Sequence, residues 1–94
     1  MDIKERFEFA DEENDCGFNM VENKRSQRPD LHALLLLDEL FPNHGCDIIT
    51  AACHGQIWLG VKDDDISKLT DEQILELVRC GVWYDDNECL AMNV

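Results

Sequence analysis

Basic residues are scarce in this chain. Of its 94 residues, 21 are Asp or Glu and only 8 are Lys or Arg, so the formal net charge at pH 7 is −13. Nucleic acid and anionic lipid both repel a protein of this charge. We therefore expect no direct nucleic-acid binding and no membrane binding, and any charged partner should be basic.

Long apolar runs and glycine-rich loops are missing as well. The longest apolar run, residues 33–37, is far too short to span a bilayer, which needs about 20 residues. The N-terminus lacks the apolar segment of a secretory signal, so a cytoplasmic location is expected. No phosphate-binding glycine loop, internal repeat or low-complexity segment is visible. With 45% hydrophobic residues, the chain has the composition of one small folded domain.

Close cysteine pairs are also absent. The five cysteines form no C-x-x-C pair, so reduced thiols are expected. Five histidines and cysteines crowd the middle of the chain, but they lack the short paired spacing of a zinc site. These are His32, His44, His54, Cys46 and Cys53. We predict no metal site and no cofactor.

Nucleophilic catalysis has little support in the sequence. Cys80 is the one cysteine with a cation beside it, Arg79. It follows a predicted helix, however, and the negative end of the helix dipole disfavours a thiolate there. A small cysteine- or metal-dependent enzyme is therefore the least favoured function, and we expect a non-enzymatic protein.

The clearest local order lies in residues 70–94. Thr70 and Gln73 have the spacing of a capping box, and Gly81 suits the position after a helix. Between them Ile74, Leu77 and Val78 share one helical face. Residues 82–84 and 90–94 then favour two strands around a turn.

The preceding residues predict a second helix and a second hairpin. Residues 31–41 form an apolar helix with Asp30 as its cap. Residues 47–53 and 56–61 flank the two-residue turn His54–Gly55, and residues 63–65 form an acidic loop. The prediction is an α+β fold, with two helices packed on a small antiparallel sheet built from two β-hairpins. Its predicted core residues are Leu34, Leu37, Leu40, Ile57, Leu59, Ile74, Leu77, Val78 and Leu90.

The domain boundary is expected near residue 30. Residues 1–29 form an acidic N-terminal segment, for which partial disorder is one interpretation, and residues 30–94 form a single α+β domain. Within the segment, Ile3, Phe7 and Phe9 favour a short strand or one helical turn. The segment holds eight acidic and five basic residues against thirteen and three in residues 30–94, so most of the negative charge is expected on the domain.

The acidic surface of that domain is the main candidate for partner binding. Glu72 and Glu76 lie about 6 Å apart along the predicted helix, which covers roughly two phosphate steps of a DNA strand. Such an array could imitate a phosphate backbone, whereas the simpler interpretation is a solvated surface that keeps the protein soluble. The candidate contacts are Asp63, Asp64, Asp65, Glu72, Glu76, Asp85 and Asp86.

Surplus leucines suggest a second kind of contact. Leu31 and Leu35 fall outside the apolar arc of the helix 31–41. One face of a sheet is not expected to cover these two leucines as well. We therefore predict a homodimer with both of them at its interface. The competing function is thus an interaction module that binds itself or another chain through apolar surface.

The C-terminal two-thirds of the chain resembles small phage- or prophage-encoded proteins. The resemblance rests on His54-x-x-Ile57-x-Leu59-x-Val61, on Gln73-Ile74 through Leu77-x-Arg79-Cys80-Gly81-Val82, and on Leu90-Ala91-Met92. Size and acidity also resemble phage inhibitors of bacterial defence, including anti-CRISPR proteins. The resemblance implies a protein of the host bacterial cytoplasm that blocks a nucleic-acid-handling complex. It assigns no functional residue.

Overall fold

The computed structural model describes residues 2–14, 17–41, 49–61, 63–85 and 89–93. In these residues four α-helices and one 3-10 helix accompany a four-stranded antiparallel sheet. This confirms the predicted α+β class. In chain order the elements are α1 (Ile3–Glu13), the 3-10 helix η1 (Gly17–Met20), α2 (Pro29–Leu40), β1 (Ile49–Cys53), β2 (Gln56–Leu59), α3 (Asp63–Ile66), α4 (Asp71–Arg79), β3 (Val82–Asp85) and β4 (Cys89–Asn93).

The sheet consists of the two predicted hairpins joined side by side. The strand order is β1-β2-β4-β3, so β1 and β3 are the edges and β2 pairs with β4 at the centre. Between β1 and β2, His54 and Gly55 have φ angles of 51° and 78°. Positive φ at both positions is the geometry of a type I′ turn, whose twist matches that of the strands.

The core lies between the helices and one face of the sheet. Seven of the nine predicted core residues are buried, while Leu34 and Leu40 lie half-buried at the margin. As predicted, Ile57 and Leu59 face the core and Trp58 faces the other side. The segment 1–29 also contributes three buried core residues, namely Phe7, Ala10 and Val21.

Helix α1 corrects the expected short strand or single helical turn in the N-terminal segment. It runs for eleven residues, and the Asp2 carboxylate accepts a hydrogen bond from the Glu5 N–H at 2.9 Å. Ile3, Phe7 and Ala10 recur at helical spacing and face the core, where α1 packs along α4. A short, highly charged helix such as α1 is not stable by itself in water. Burial of this apolar stripe therefore stabilises it.

The other helices follow the predicted pattern with two corrections. Thr70 and Gln73 form the complete capping box, and Gly81 has a φ of 92°. Helix α2, however, begins with Pro29 at its first position, so Asp30 lies inside the first turn instead of capping it. The acidic residues 63–65 were expected in a loop, but they begin α3, which buried Ile66 holds against the core.

Candidate functional site

The seven acidic residues that were predicted to contact a partner lie in several different environments. Asp64 and Glu72 are exposed, and Asp65 is half-buried with its carboxylate 3.7 Å from the Lys68 ammonium. Glu76 and Asp85 are engaged with other side chains. Asp86 and the side chain of Asp63 lie outside the described part of the chain. Among the described residues these seven therefore do not form one continuous exposed surface.

Glu76 faces a buried histidine. The Arg25 backbone N–H donates to His32 Nδ1 at 3.1 Å, so Nδ1 must be an acceptor. The ring proton therefore sits on Nε2 and is donated to the Glu76 carboxylate, also at 3.1 Å. His32 is fully buried, and the edge contact of its ring with Phe18 further encloses it. The face of α4 that carries Glu76 was expected to be open, but η1 contacts α4 and His32 of α2 binds the Glu76 carboxylate, which stays partly exposed.

Asp85 ties the two hairpins together on the side of the sheet away from the helices. The Trp58 indole N–H donates to the Asp85 carboxylate at 3.1 Å. The register aligns Trp58 and Trp83 on either side of Ala91, which is buried but does not belong to the main core. Asp85 thus stabilises the sheet, a role that the charge pattern did not predict.

The largest group of exposed carboxylates that the structure describes lies on α1. Five acidic side chains point outward from this helix, and we call them the α1 acidic face: Glu5, Glu8, Asp11, Glu12 and Glu13. The sequence did not predict this face, because a short strand or one helical turn was the most that residues 1–29 were expected to form. Two features could have revealed it: Asp2 and Glu5 have capping-box spacing, and Ile3, Phe7 and Ala10 have helical spacing.

Arg6, one of the two bases of α1, turns inward. Its guanidinium donates to the Leu69 carbonyl at 2.6 Å and to the Asp71 carboxylate at 2.9 Å. The Arg6 side chain is 21% exposed, whereas that of Asp71 is 89% exposed. The pair links α1 to the start of α4 and leaves Lys4 as the base on the outer side of α1.

Two small clefts flank α1. One of about 170 Å³ lies against β3 and includes Lys4, Glu8 and Trp83 in its lining. The other, of about 290 Å³, lies against α4 and includes Phe9 and Leu75. Sites for small ligands usually exceed about 300 Å³. Both clefts lie below this size, the one against α4 only slightly.

The described residues contain no group of three His, Cys, Asp or Glu side chains that could hold a metal ion. Both ring nitrogens of His32 are already bound, Cys53 and His54 are exposed, and His44 and Cys46 lie outside the described residues. Burial, reinforced by the charge of Glu76, raises the pKa of the Cys80 thiol to about 12. Cys80 is therefore protonated and unreactive at neutral pH.

Comparisons with protein-family models, curated proteins and solved structures find no match for this chain. Within the described residues, no helix combines the length and apolarity needed to cross a membrane.

Proposed function

We propose that this chain is a non-enzymatic binding protein that occupies the basic, nucleic-acid-binding surface of another protein through the α1 acidic face. The single observation that carries the proposal is the concentration of five exposed carboxylates on one helix that is fixed to the core. Helix α1 thus takes the place of the seven acidic residues predicted from the sequence as the proposed main contact surface.

The spacing of the carboxylates supports imitation of a nucleic acid. Glu5, Glu8 and Glu12 lie near one line on the outside of α1, since residues three and four apart are neighbours on a helix. Their backbone positions span roughly 10 Å, about three phosphate steps along one DNA strand. A groove built to hold phosphates could therefore meet several carboxylates at once.

The contacts that hold α1 in place also support binding through its acidic face. Phe7 and Ala10 anchor the helix in the core, and Arg6 bonds it to the start of α4. A charged surface held in one arrangement loses less conformational entropy on binding than a flexible acidic tail does. The negative field of the whole chain would also accelerate encounter with a basic partner.

The resemblance to phage inhibitors of bacterial defence suggests where the partner belongs. It would be a component of a bacterial nucleic-acid-handling complex, and binding would exclude that component's DNA or RNA. The resemblance points to this class of partner, and the exposed carboxylates of α1 supply the surface that would bind it.

A matched pair of variants tests the proposal. Glu8→Gln with Glu12→Gln neutralises two carboxylates on α1, and Glu22→Gln with Asp38→Asn removes the same charge from exposed positions elsewhere. Immobilised parent and variants are incubated with bacterial lysate, and bound proteins are eluted first with a short DNA duplex and then with salt. We expect the parent and the second variant to retain nucleic-acid-binding proteins that the duplex displaces, and the first variant to lose most of them.

Two outcomes would contradict the proposal. Equal capture by both variants would show that α1 makes no specific contact. Capture that salt disrupts but the duplex does not would show that the partner's nucleic-acid-binding surface is not the one occupied.

A further inference from the structure

The hairpin formed by β1 and β2 lacks charge. Residues 48–61 contain no Asp, Glu, Lys or Arg, although 31% of the chain is charged. The structure describes this stretch from residue 49 onward. In a protein with a net charge of −13, such a surface is where a second negative molecule can approach with the least repulsion.

Strand β1 is also an open edge. Among the described residues β2 is its only strand partner, and all five residues of β1 are exposed, Ile49 by 41%. Natural edge strands usually carry a lysine, a proline or another device that prevents pairing with a further strand. Here the register shift between Ile49 and Ala51 protects one end of the strand, whereas residues 51–53 have no such device.

The turn geometry identifies the backbone groups that face outward. Cys53 and Gln56 flank the two-residue turn and, in a hairpin of this type, exchange their backbone hydrogen bonds. Bonded and non-bonded pairs alternate along antiparallel strands, so the next pair, Ala52 and Ile57, is not bonded. The N–H and C=O of Ala52 therefore point away from β2, toward the free edge.

We propose that the β1 edge pairs with the β1 edge of a second copy of this chain, forming a weak antiparallel homodimer about a twofold axis near Ala52. A basic partner would be drawn to the α1 acidic face, whereas the uncharged edge offers it no attraction. A second copy instead brings the same uncharged strand and matching hydrogen-bonding groups. This dimer is independent of the function proposed above.

The position of the charge favours this arrangement. Helix α1 contacts β3, the opposite edge of the sheet, about three strand spacings or 14 Å from β1. The two α1 acidic faces of the dimer would then lie at its outer ends, beyond the screening length of about 8 Å at physiological salt. By contrast, a seam at Leu31 and Leu35 would place the exposed acids Asp38 and Glu39 close to their own copies.

Two measurements in reducing buffer test the dimer, since Cys53 is exposed and must not form a disulfide. Sedimentation velocity over a range of concentrations should show a dimer fraction that rises with concentration. Amide hydrogen exchange should show the Ala52 N–H becoming more protected over the same range, because the second copy gives it a hydrogen-bond partner that no described residue of its own chain provides. Neither measurement needs a variant.

Ala52→Pro provides the sharpest variant, because it removes the outward N–H without removing a bond to β2. We expect the dimer dissociation constant to rise at least about tenfold, with the circular dichroism spectrum of the fold retained. If this variant does not fold, Ala51→Glu instead places a negative charge beside the twofold axis in both copies. Leu31→Ser with Leu35→Ser is the control and should dimerise like the parent.

The proposal is overturned if the parent stays monomeric at its highest soluble concentration, or if Ala52 exchange does not depend on concentration. It is equally overturned if the leucine variant loses the dimer while the edge variant keeps it.

Discussion

The two ends of the sheet differ sharply in charge. At the β3 end, α1 presents five exposed carboxylates, while at the β1 end the described residues 49–61 carry no acid, lysine or arginine. We propose a charged partner for the first end and a second copy of the chain for the other, where β1 has neutral side chains and pairs with no described strand but β2. The net charge of the whole chain describes neither end, because it sums an acidic surface and an uncharged surface that would bind different partners.

Both ends of the sheet are expected to depend on the same hydrophobic core. Leu77 is fully buried in the core cluster that joins α4 to the sheet. Leu77→Ala should lower the free energy of unfolding by about 2–5 kcal/mol, since it removes buried side-chain atoms and leaves a cavity. Urea denaturation followed by tryptophan fluorescence measures this change. A loss below about 0.5 kcal/mol, which is usual for surface positions, would show that Leu77 does not join the two ends.

The attachment of α1 to the rest of the fold should depend on Arg6. Arg6→Ala removes a hydrogen bond from a charged group to the Leu69 carbonyl and should cost about 1.5–3 kcal/mol. Asp71→Asn affects only the exposed side of the same contact and should cost less than about 1 kcal/mol. Thermal denaturation of both variants makes the comparison. Equal effects would show that the ion pair, rather than the carbonyl contact, attaches α1.

The buried thiol of Cys80 should make the stability of the fold depend on pH in the alkaline range. The folded pKa of Cys80 is about 12, whereas in the unfolded chain its thiol ionises near 9. Between these pH values the unfolded state releases the proton first. The free energy of unfolding should therefore fall by about 1 kcal/mol per pH unit through Cys80.

Denaturation between pH 8 and about pH 11 checks this, using the unfolded thiol pKa as the start of the window. Cys80→Ala should lessen the alkaline loss of stability, because it removes the thiol that ionises more readily in the unfolded chain. The same pH dependence in the parent and Cys80→Ala would assign the loss to other groups.

The smallest expected effect concerns the α1 acidic face itself. Glu8 and Glu12 are one helical turn apart and repel each other, so neutralising both should raise stability by a few tenths of a kcal/mol. Raising the salt concentration should shrink the difference from the parent. A loss of stability above about 0.5 kcal/mol would show that these carboxylates hold the fold together and are not free for a partner.

The sequence predicted elements whose determinants are local. The Thr70 and Gln73 cap, the His54–Gly55 turn and the alternation of Ile57, Trp58 and Leu59 depend on neighbouring residues, and each is present in the structure. Their pattern was sufficient to predict the α+β class.

The environment of the acidic residues could not be predicted in this way. Glu76 was expected on an open face because helical spacing says nothing about which other element covers that face. Its partner His32 lies on α2, and Asp85 bonds to Trp58 from the other hairpin. The α1 acidic face was missed for a similar reason, since a polar helix forms only when α4 covers its narrow apolar stripe.

The central pairing of β2 with β4 has a consequence for how the chain folds. Each hairpin closes locally, and isolated hairpins form within about 1–10 μs. The β2–β4 pairing must instead bring together strands separated by α3, α4 and β3, so it carries a larger loop-closure cost. We therefore expect the folding rate to be set at this junction. Substitutions of Leu59 or Leu90, which face each other across it, should slow folding more than substitutions in either turn.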